Sequence, residues 1–195
     1  MLIGEQRNTR SITFIDTEIE PNKGKIIDIG AIKDDGNYFH SASIVEFVQF
    51  VKASNYICGH NVLNHDIKYI NRAINDANIN FSNVIDTLYL SPLLFPTKPY
   101  HALLKDDKLQ TEDANNPLND SKKARDLFHS EVAAFWQIDE VLKEIFYLLL
   151  HSSTEFGAFF RFINFNTFNT DLEVLIRLKF HGAICEHSDL TKIIL

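Results

Sequence analysis

Asp16 and Glu18 stand two residues apart at the end of an alternating apolar and β-branched run, Ser11-Ile12-Thr13-Phe14-Ile15. Side chains two apart on a strand share a face, so the two carboxylates would lie side by side and repel unless a cation neutralised them. Mg²⁺ and Mn²⁺ take carboxylate oxygens and are held by a few carboxylates together with substrate phosphate. A strand-borne Asp-x-Glu supplies half of such a site. The plainer alternative is an exposed acidic strand end, since motifs this short arise by chance. Further along, Asp66 closes the stretch Gly59-His60-Asn61-Val62-Leu63-Asn64-His65-Asp66. Its own alternative is a helix-surface charge, but Gly-His-Asn followed by an apolar residue and an Asp has no evident structural motive.

The elements that must position these groups follow from the hydrophobic pattern. After the first strand, residues 19–24 (Ile-Glu-Pro-Asn-Lys-Gly) read as a turn, and residues 25–33 (KIIDIGAIK) form a β-rich run. Asp34-Asp35-Gly36 turns the chain into a third strand over residues 37–40. Ser43 precedes IVEFVQFVKA with Glu46 three residues on, a capping-box pattern that opens a crossover helix. Tyr56-Ile57-Cys58 is a short buried-type strand, and Gly59-His60-Asn61 leads into a helix containing Asp66, Ile67, Tyr69 and Ile70. Residues 83–85 give a fifth strand, with Asp86 as N-cap of a helix through Leu94. The change from hairpins to β-α-β units predicts a mixed five-stranded sheet, three antiparallel strands then two parallel, covered by helices. From Tyr100 onward only helices are expected. They are a short one over 100–108, a polar connection over 110–116, one from Pro117 through Phe128, and a long amphipathic one from about Ser130 to Leu150. A Phe-rich segment around 156–165, a helix over 171–180 and a further helix over 187–195 would follow. The expected division is a core domain over 1–128 and a helical connector and appendage over 129–195, with the possibility of a further domain beyond it.

Composition narrows the function classes. The 195 residues carry a formal charge of −7 and are 45% hydrophobic, which describes a globular chain and excludes a generic cationic nucleic-acid binder. Cys58 and Cys185 sit in apolar contexts, which predicts two buried thiols in a reducing cytoplasm. The greasiest run, Ile138 to Leu150, is interrupted by Asp139, Glu140, Lys143 and Glu144 and is too short to span a bilayer, so no membrane association is expected.

Taken together, residues 10–128 resemble the DEDD 3′-5′ exonucleases of the ribonuclease H-like fold. FIDTEIE, with Gly30-Ala31 on the second strand, looks like the first exonuclease motif, and GHNVLNHDIKYI (59–70) is similar to the second, whose Asp is Asp66 here. IDTLYL around Asp86 and the stretch from Phe95 to Leu109 look like connecting segments. The resemblance implies an α/β, ribonuclease H-like domain with a C-terminal helical appendage. It implies two Mg²⁺ or Mn²⁺ ions about 4 Å apart that drive phosphodiester hydrolysis, and release of nucleoside monophosphates from 3′ ends of DNA in preference to RNA. Asp16, Glu18, Asp66 and a fourth Asp would hold the metals, while Thr17, His60, Asn61 and Asn115 would meet nucleic acid. The family's histidine type has His-x-Ala-x-x-Asp, and two registers compete for it. His101-Ala102-Leu103-Leu104-Lys105-Asp106 has the His-to-Asp spacing, whereas Asp120 leads into a continuing helix with small Ser121 after it. Asp120 is preferred, which leaves Asn115 in the histidine position. An amide cannot accept a proton at neutral pH, so a slow enzyme is expected, limited at Asn115 and relying on two-metal activation of water; the alternative is that His101 swings in as a substitute base. The alternative function is a catalytically degraded domain that grips a 3′ end or docks a protein. The layout is also similar to the exonuclease-type domain fused to bacterial RecQ-type helicases, although no phosphate-binding loop occurs in the chain.

The remaining histidines and aromatics have plainer readings. His60 reads as a turn residue near the site, His65 as an exposed position, and His129 and His151 as helix surface. Trp136 and the Phe residues of 156–165 could stack on bases, but aromatic stripes at helical spacing are usually core.

Overall fold

A computed structural model describes residues 10–103, 116–169, 171–185 and 187–192. It is α/β. The strands are β1 (Ile12–Ile19), β2 (Ile26–Lys33), β3 (Tyr38–His40), β4 (Tyr56–Gly59) and β5 (Val84–Asp86). They form one five-stranded sheet in the order β3-β2-β1-β4-β5. β1 pairs antiparallel with β2 and parallel with β4, β2 pairs antiparallel with β3, and β4 pairs parallel with β5. Three strands joined by short turns therefore precede two joined by helical crossovers, as the pattern predicts. The first turn holds Asn22 and Gly24 at positive φ, and Gly36 does the same in the second, a backbone state that Gly and Asn adopt at low cost.

Alternation along the strands feeds two cores. Ile15, Ile29, Ala31 and Ile57 face α1 (Ile44–Val51) and α2 (Ile67–Asp76), where they meet Phe47, Val51, Val62, Ile70 and Ile74. Ser43 caps α1 by accepting from the Glu46 amide at 3.4 Å. Ile12, Phe14, Ile32 and Cys58 point to the other face, packed with Leu90 of α3 (Thr87–Leu94), Phe128 and Phe135 of α4 (Pro117–Gln137), and Phe159 and Phe160 of α6 (Gly157–Ile163). The Phe-rich segment is therefore core, as expected of aromatics at helical spacing. The helix-only second half also differs from its expected divisions. α4 runs unbroken through residue 129, so the boundary at 128/129 falls inside one helix. The interruption comes instead at Ile138-Asp139, where Asp139 caps α5 (Glu140–Leu150) by accepting from the Leu142 amide. Residues 100–103 are not helical and 104–108 lie outside the described residues, as does 110–115 of the polar connection. α7 (Leu172–Lys179) forms as predicted, with Asp171 as its cap. The helix expected over 187–195 is only a 3₁₀ turn, Leu190–Lys192, among the described residues. Cys58 is buried but Cys185 is exposed, against the expectation of two buried thiols. Among the described residues no helix is long and apolar enough to cross a membrane.

One buried group has no sequence signature. Glu131 lies on the same face of α4 as Phe128 and Phe135 and is fully buried, and neither of its oxygens has a hydrogen-bond partner among the described residues. Burial, reinforced by the Asp86 charge and opposed by Lys98, raises its pKa to about 9. The carboxyl is therefore neutral in the native state at neutral pH. Because the native pKa lies above the unfolded one, the associated stability is present below the ordinary 4.5 and is lost as pH rises from there through about 9. Glu131→Gln should flatten the fall in stability between neutral pH and pH 9, read as the thermal midpoint across a pH series. A parallel fall in wild type and variant would show that Glu131 ionises in the native state without cost.

Candidate metal and phosphate site

β1 presents its two acidic residues on one side of the sheet. Asp16 lies opposite Gly30 of β2 and Glu18 opposite Asp28, with a bulge immediately after Glu18. By the same alternation as Phe14, Asp16 and Glu18 face α4, while Thr17 faces α2 with Ile15. Gly30 decides how close α4 comes. A Cβ there would lie 2.1 Å from the backbone of Pro117 and Leu118, so the first turn of α4 rests directly on the β2 backbone beside Asp16. That turn is well capped, with the Asn116 side chain accepting from the Leu118 and Asn119 amides and Pro117 in the first helical positions. It carries Asp120, which pairs with Lys123 at 3.3 Å.

Asp66 arrives from the other side. β4 pairs with β1 only as far as Phe14 opposite Cys58, which leaves the Thr17 amide beyond the ladder. The Asp66 carboxylate fills that position. Its Oδ1 accepts from the Thr17 amide at 2.8 Å and from the Thr17 hydroxyl at 2.7 Å. Asp66 precedes α2 rather than standing within it, makes no side-chain cap, and is almost fully buried. Thr17, expected to meet nucleic acid, is thus committed to orienting Asp66. His65 next to it is half-exposed, with Nδ1 3.8 Å from Asp66 Oδ2, an ion contact rather than a hydrogen bond. The Asp66 carboxylate raises its pKa, partial burial opposes this, and Asp16 adds to it.

The Gly-His-Asn turn has a structural motive after all. A Cβ on Gly59 would meet the Ile15 carbonyl oxygen at 2.8 Å, and Asn61 adopts φ 63°, in the left-handed region that Asn tolerates. Asp86 then organises the turn. Its carboxylate accepts from the amides of Asn61 (2.8 Å), Leu63 (3.0 Å) and Leu88 (2.9 Å), joining the turn to the N-terminus of α3. Burial raises the Asp86 pKa against these three donors. Only the cap at Leu88 was legible in the sequence. His60 Nδ1 meets Thr87 Oγ1 at 2.8 Å, while its Nε2 is buried with no hydrogen-bond partner among the described residues. Burial lowers its pKa to about 4, with Asp120 opposing, so the ring is neutral at neutral pH. His101 is tied to Ser91 Oγ at 2.9 Å rather than to any of the aspartates. Asn115 and Asp106 lie outside the described residues. His129 pairs with Asp34 and His151 stacks on Tyr147, both on the surface.

The electrostatic outcome is concentrated on Asp16. Burial, followed by the charges of Asp66, Asp120 and Glu18, raises its pKa to about 8, with His65 opposing. The four acidic residues thus act on one another across β1, the turn before α2 and the first turn of α4. Among the described residues no three Asp, Glu, His or Cys side chains stand in a ready metal-binding group. The carboxylates are close enough to repel but are not drawn together on a common point. An all-oxygen donor set of this kind suits Mg²⁺ or Mn²⁺ rather than a soft metal. No family model, no curated protein and no solved structure matches the chain.

Two outcomes test this geometry. Gly30→Ala should cost about 2 kcal/mol or more in a denaturant titration, because backbone rather than a flexible side chain must yield; an effect below about 0.5 kcal/mol would show that α4 does not rest on β2. The stability linked to the raised Asp16 pKa is present below the ordinary 3.8 and lost as pH rises through about 8. Millimolar Mn²⁺ should therefore raise the thermal midpoint more at pH 8 than at pH 5, and Asp16→Asn should remove most of that increment. An equal rise in the variant would place any bound cation elsewhere.

Proposed function

We propose that this chain is a divalent-cation-dependent 3′-5′ exonuclease on a ribonuclease H-like scaffold, releasing nucleoside monophosphates from DNA in preference to RNA. The observation that carries this reading is the gathering of Asp66, Asp120 and Glu18 around Asp16, whose burial, together with those three charges, raises its pKa to about 8. A soluble fold gains nothing from such crowding unless a cation returns the cost. The sheet order is in keeping with the reading, since β2 alone runs against the other four strands, an arrangement expected of the ribonuclease H-like fold.

Asp16, Glu18, Asp66 and Asp120 would hold the cations. When bound, a pair of such ions activates the attacking water and stabilises charge on the phosphate and the leaving oxygen. The chain's own contribution is positioning. β1 fixes Asp16 and Glu18 on a central strand. Thr17 occupies one oxygen of Asp66, which sets the direction of the other. The contact of α4 with Gly30 sets the approach of Asp120. His60, neutral and anchored on Thr87, presents a buried Nε2 in the field of Asp120.

A catalytically degraded domain that grips a 3′ end or docks on a helicase-type partner is the second reading. It is favoured by the lack of a ready metal-binding group among the described residues and by the engagement of His101 with Ser91. Labelled single-stranded DNA and RNA incubated with the purified protein and Mn²⁺ separate the two. Stepwise shortening from the 3′ end, reduced by about a hundredfold or more in Asp16→Ala, is the expected result. Equal residual cleavage by wild type and variant would leave the binding module as the function.

A further inference from the structure

A concavity lies beside Asp120, linked to it through Lys123. It encloses about 520 Å³ between the end of α3 and the middle of α4, lined by Lys98, Pro99, Tyr100, Lys123 and Leu127, with the Ser91–His101 pair in its wall. Pro99 and Leu127 make one side apolar. Tyr100 is 81% exposed, so its ring is available to a ligand without rearrangement of the core. Lys98 rests its ammonium 3.9 Å from the centre of the Phe95 ring at the margin. Lys123, which also lines the space, pairs with Asp120, so the concavity lies beside the candidate site.

We infer that this concavity binds one nucleotide of a single strand whose 3′ end lies at the carboxylates, with the base against Tyr100 and Leu127 and a phosphate at Lys98. The inference rests on the nuclease reading for the direction of the strand, but its binding chemistry does not depend on metal. The volume lies within the usual range for small-ligand sites, about 300–1,000 Å³. An aromatic face next to a cation is the common means of holding a strand without regard to sequence. The carboxylates cannot attract a polyanion in a chain of net charge −7, so local cations must do so.

The test is fluorescence anisotropy of a labelled single-stranded oligodeoxynucleotide with the full chain in EDTA. Tyr100→Ala and Lys98→Ala should each weaken binding by about tenfold, and Tyr100→Phe, which keeps the ring, should bind as wild type does. Lys98→Ala should also lower the salt dependence by about one counterion. Lys52→Ala, at the C-cap of α1, controls for net charge and should have little effect. The inference is overturned by wild-type affinity in both alanine variants, by equal losses in Lys52→Ala or Tyr100→Phe, by no binding at all, or by equally effective competition from an acidic peptide of the same charge. Binding in EDTA without cleavage in Mn²⁺ would remove the nuclease reading and leave the nucleotide site. Cleavage in Mn²⁺ with unaltered binding by both variants would do the reverse.

Discussion

The first turn of α4 touches the bare backbone of Gly30, and much else follows from that contact. A helix packed on a sheet normally stands off by the depth of its side chains, about 10 Å between layers. Where the strand offers only a glycine, the helix end can settle onto the peptide plane, and here the backbone of Pro117 and Leu118 does so. Asp16 is the register partner of Gly30. A residue on the first turn of α4 is thereby brought beside a residue on the central strand, and both happen to be aspartates. The apolar stripe of α4, through Ala124, Phe128 and Phe135, then runs down the sheet and ties this local approach to the aromatic core.

The price of the arrangement is electrostatic. Asp16 is partly buried and surrounded by acidic neighbours, a combination that favours the proton over the charge. The protein answers differently for each member of the group. Asp66 is compensated by two donors from Thr17, Asp120 by Lys123, and Asp86 by three backbone amides. Asp16 is the member whose pKa is raised to about 8, by burial and by the charges of Asp66, Asp120 and Glu18. Glu131 belongs to a different case: it too is pushed upward by burial and by the Asp86 charge, but it sits on the buried face of α4 that carries Phe128 and Phe135.

The two ends of the candidate site are held by different kinds of interaction. On the α4 side the constraint is steric, through Gly30. On the α2 side it is hydrogen bonding at an interrupted ladder, where Asp66 takes the place of a missing strand partner for Thr17. The Gly59-His60-Asn61 turn makes that substitution possible by ending β4 early, and Asp86 locks the turn to α3. A loop that resembles a catalytic signature in sequence is thus a structural joint in the fold.

The order in which the strands pair came from the tertiary structure, but local pattern alone determined the five strands, three antiparallel and then two parallel, the caps at Ser43 and Asp86, and the choice of Asp16, Glu18 and Asp66 as the acidic residues of interest. These depend on period, turn chemistry and capping, which are properties of neighbouring residues. Much of the second half depended on tertiary structure. Whether α4 breaks at 129 or at 138 was decided by the continuity of its buried face against the sheet, and the Phe-rich segment became core because β1, β4 and α4 left an apolar face to cover. The commitment of Thr17 to Asp66 and the engagement of His101 by Ser91 join residues 49 and 10 positions apart, and the burial of Glu131 places a carboxyl on the buried face of α4. No local rule encodes such meetings. They arise because packing fixes which side chains share a space, and burial then sets the energy of every polar group inside it.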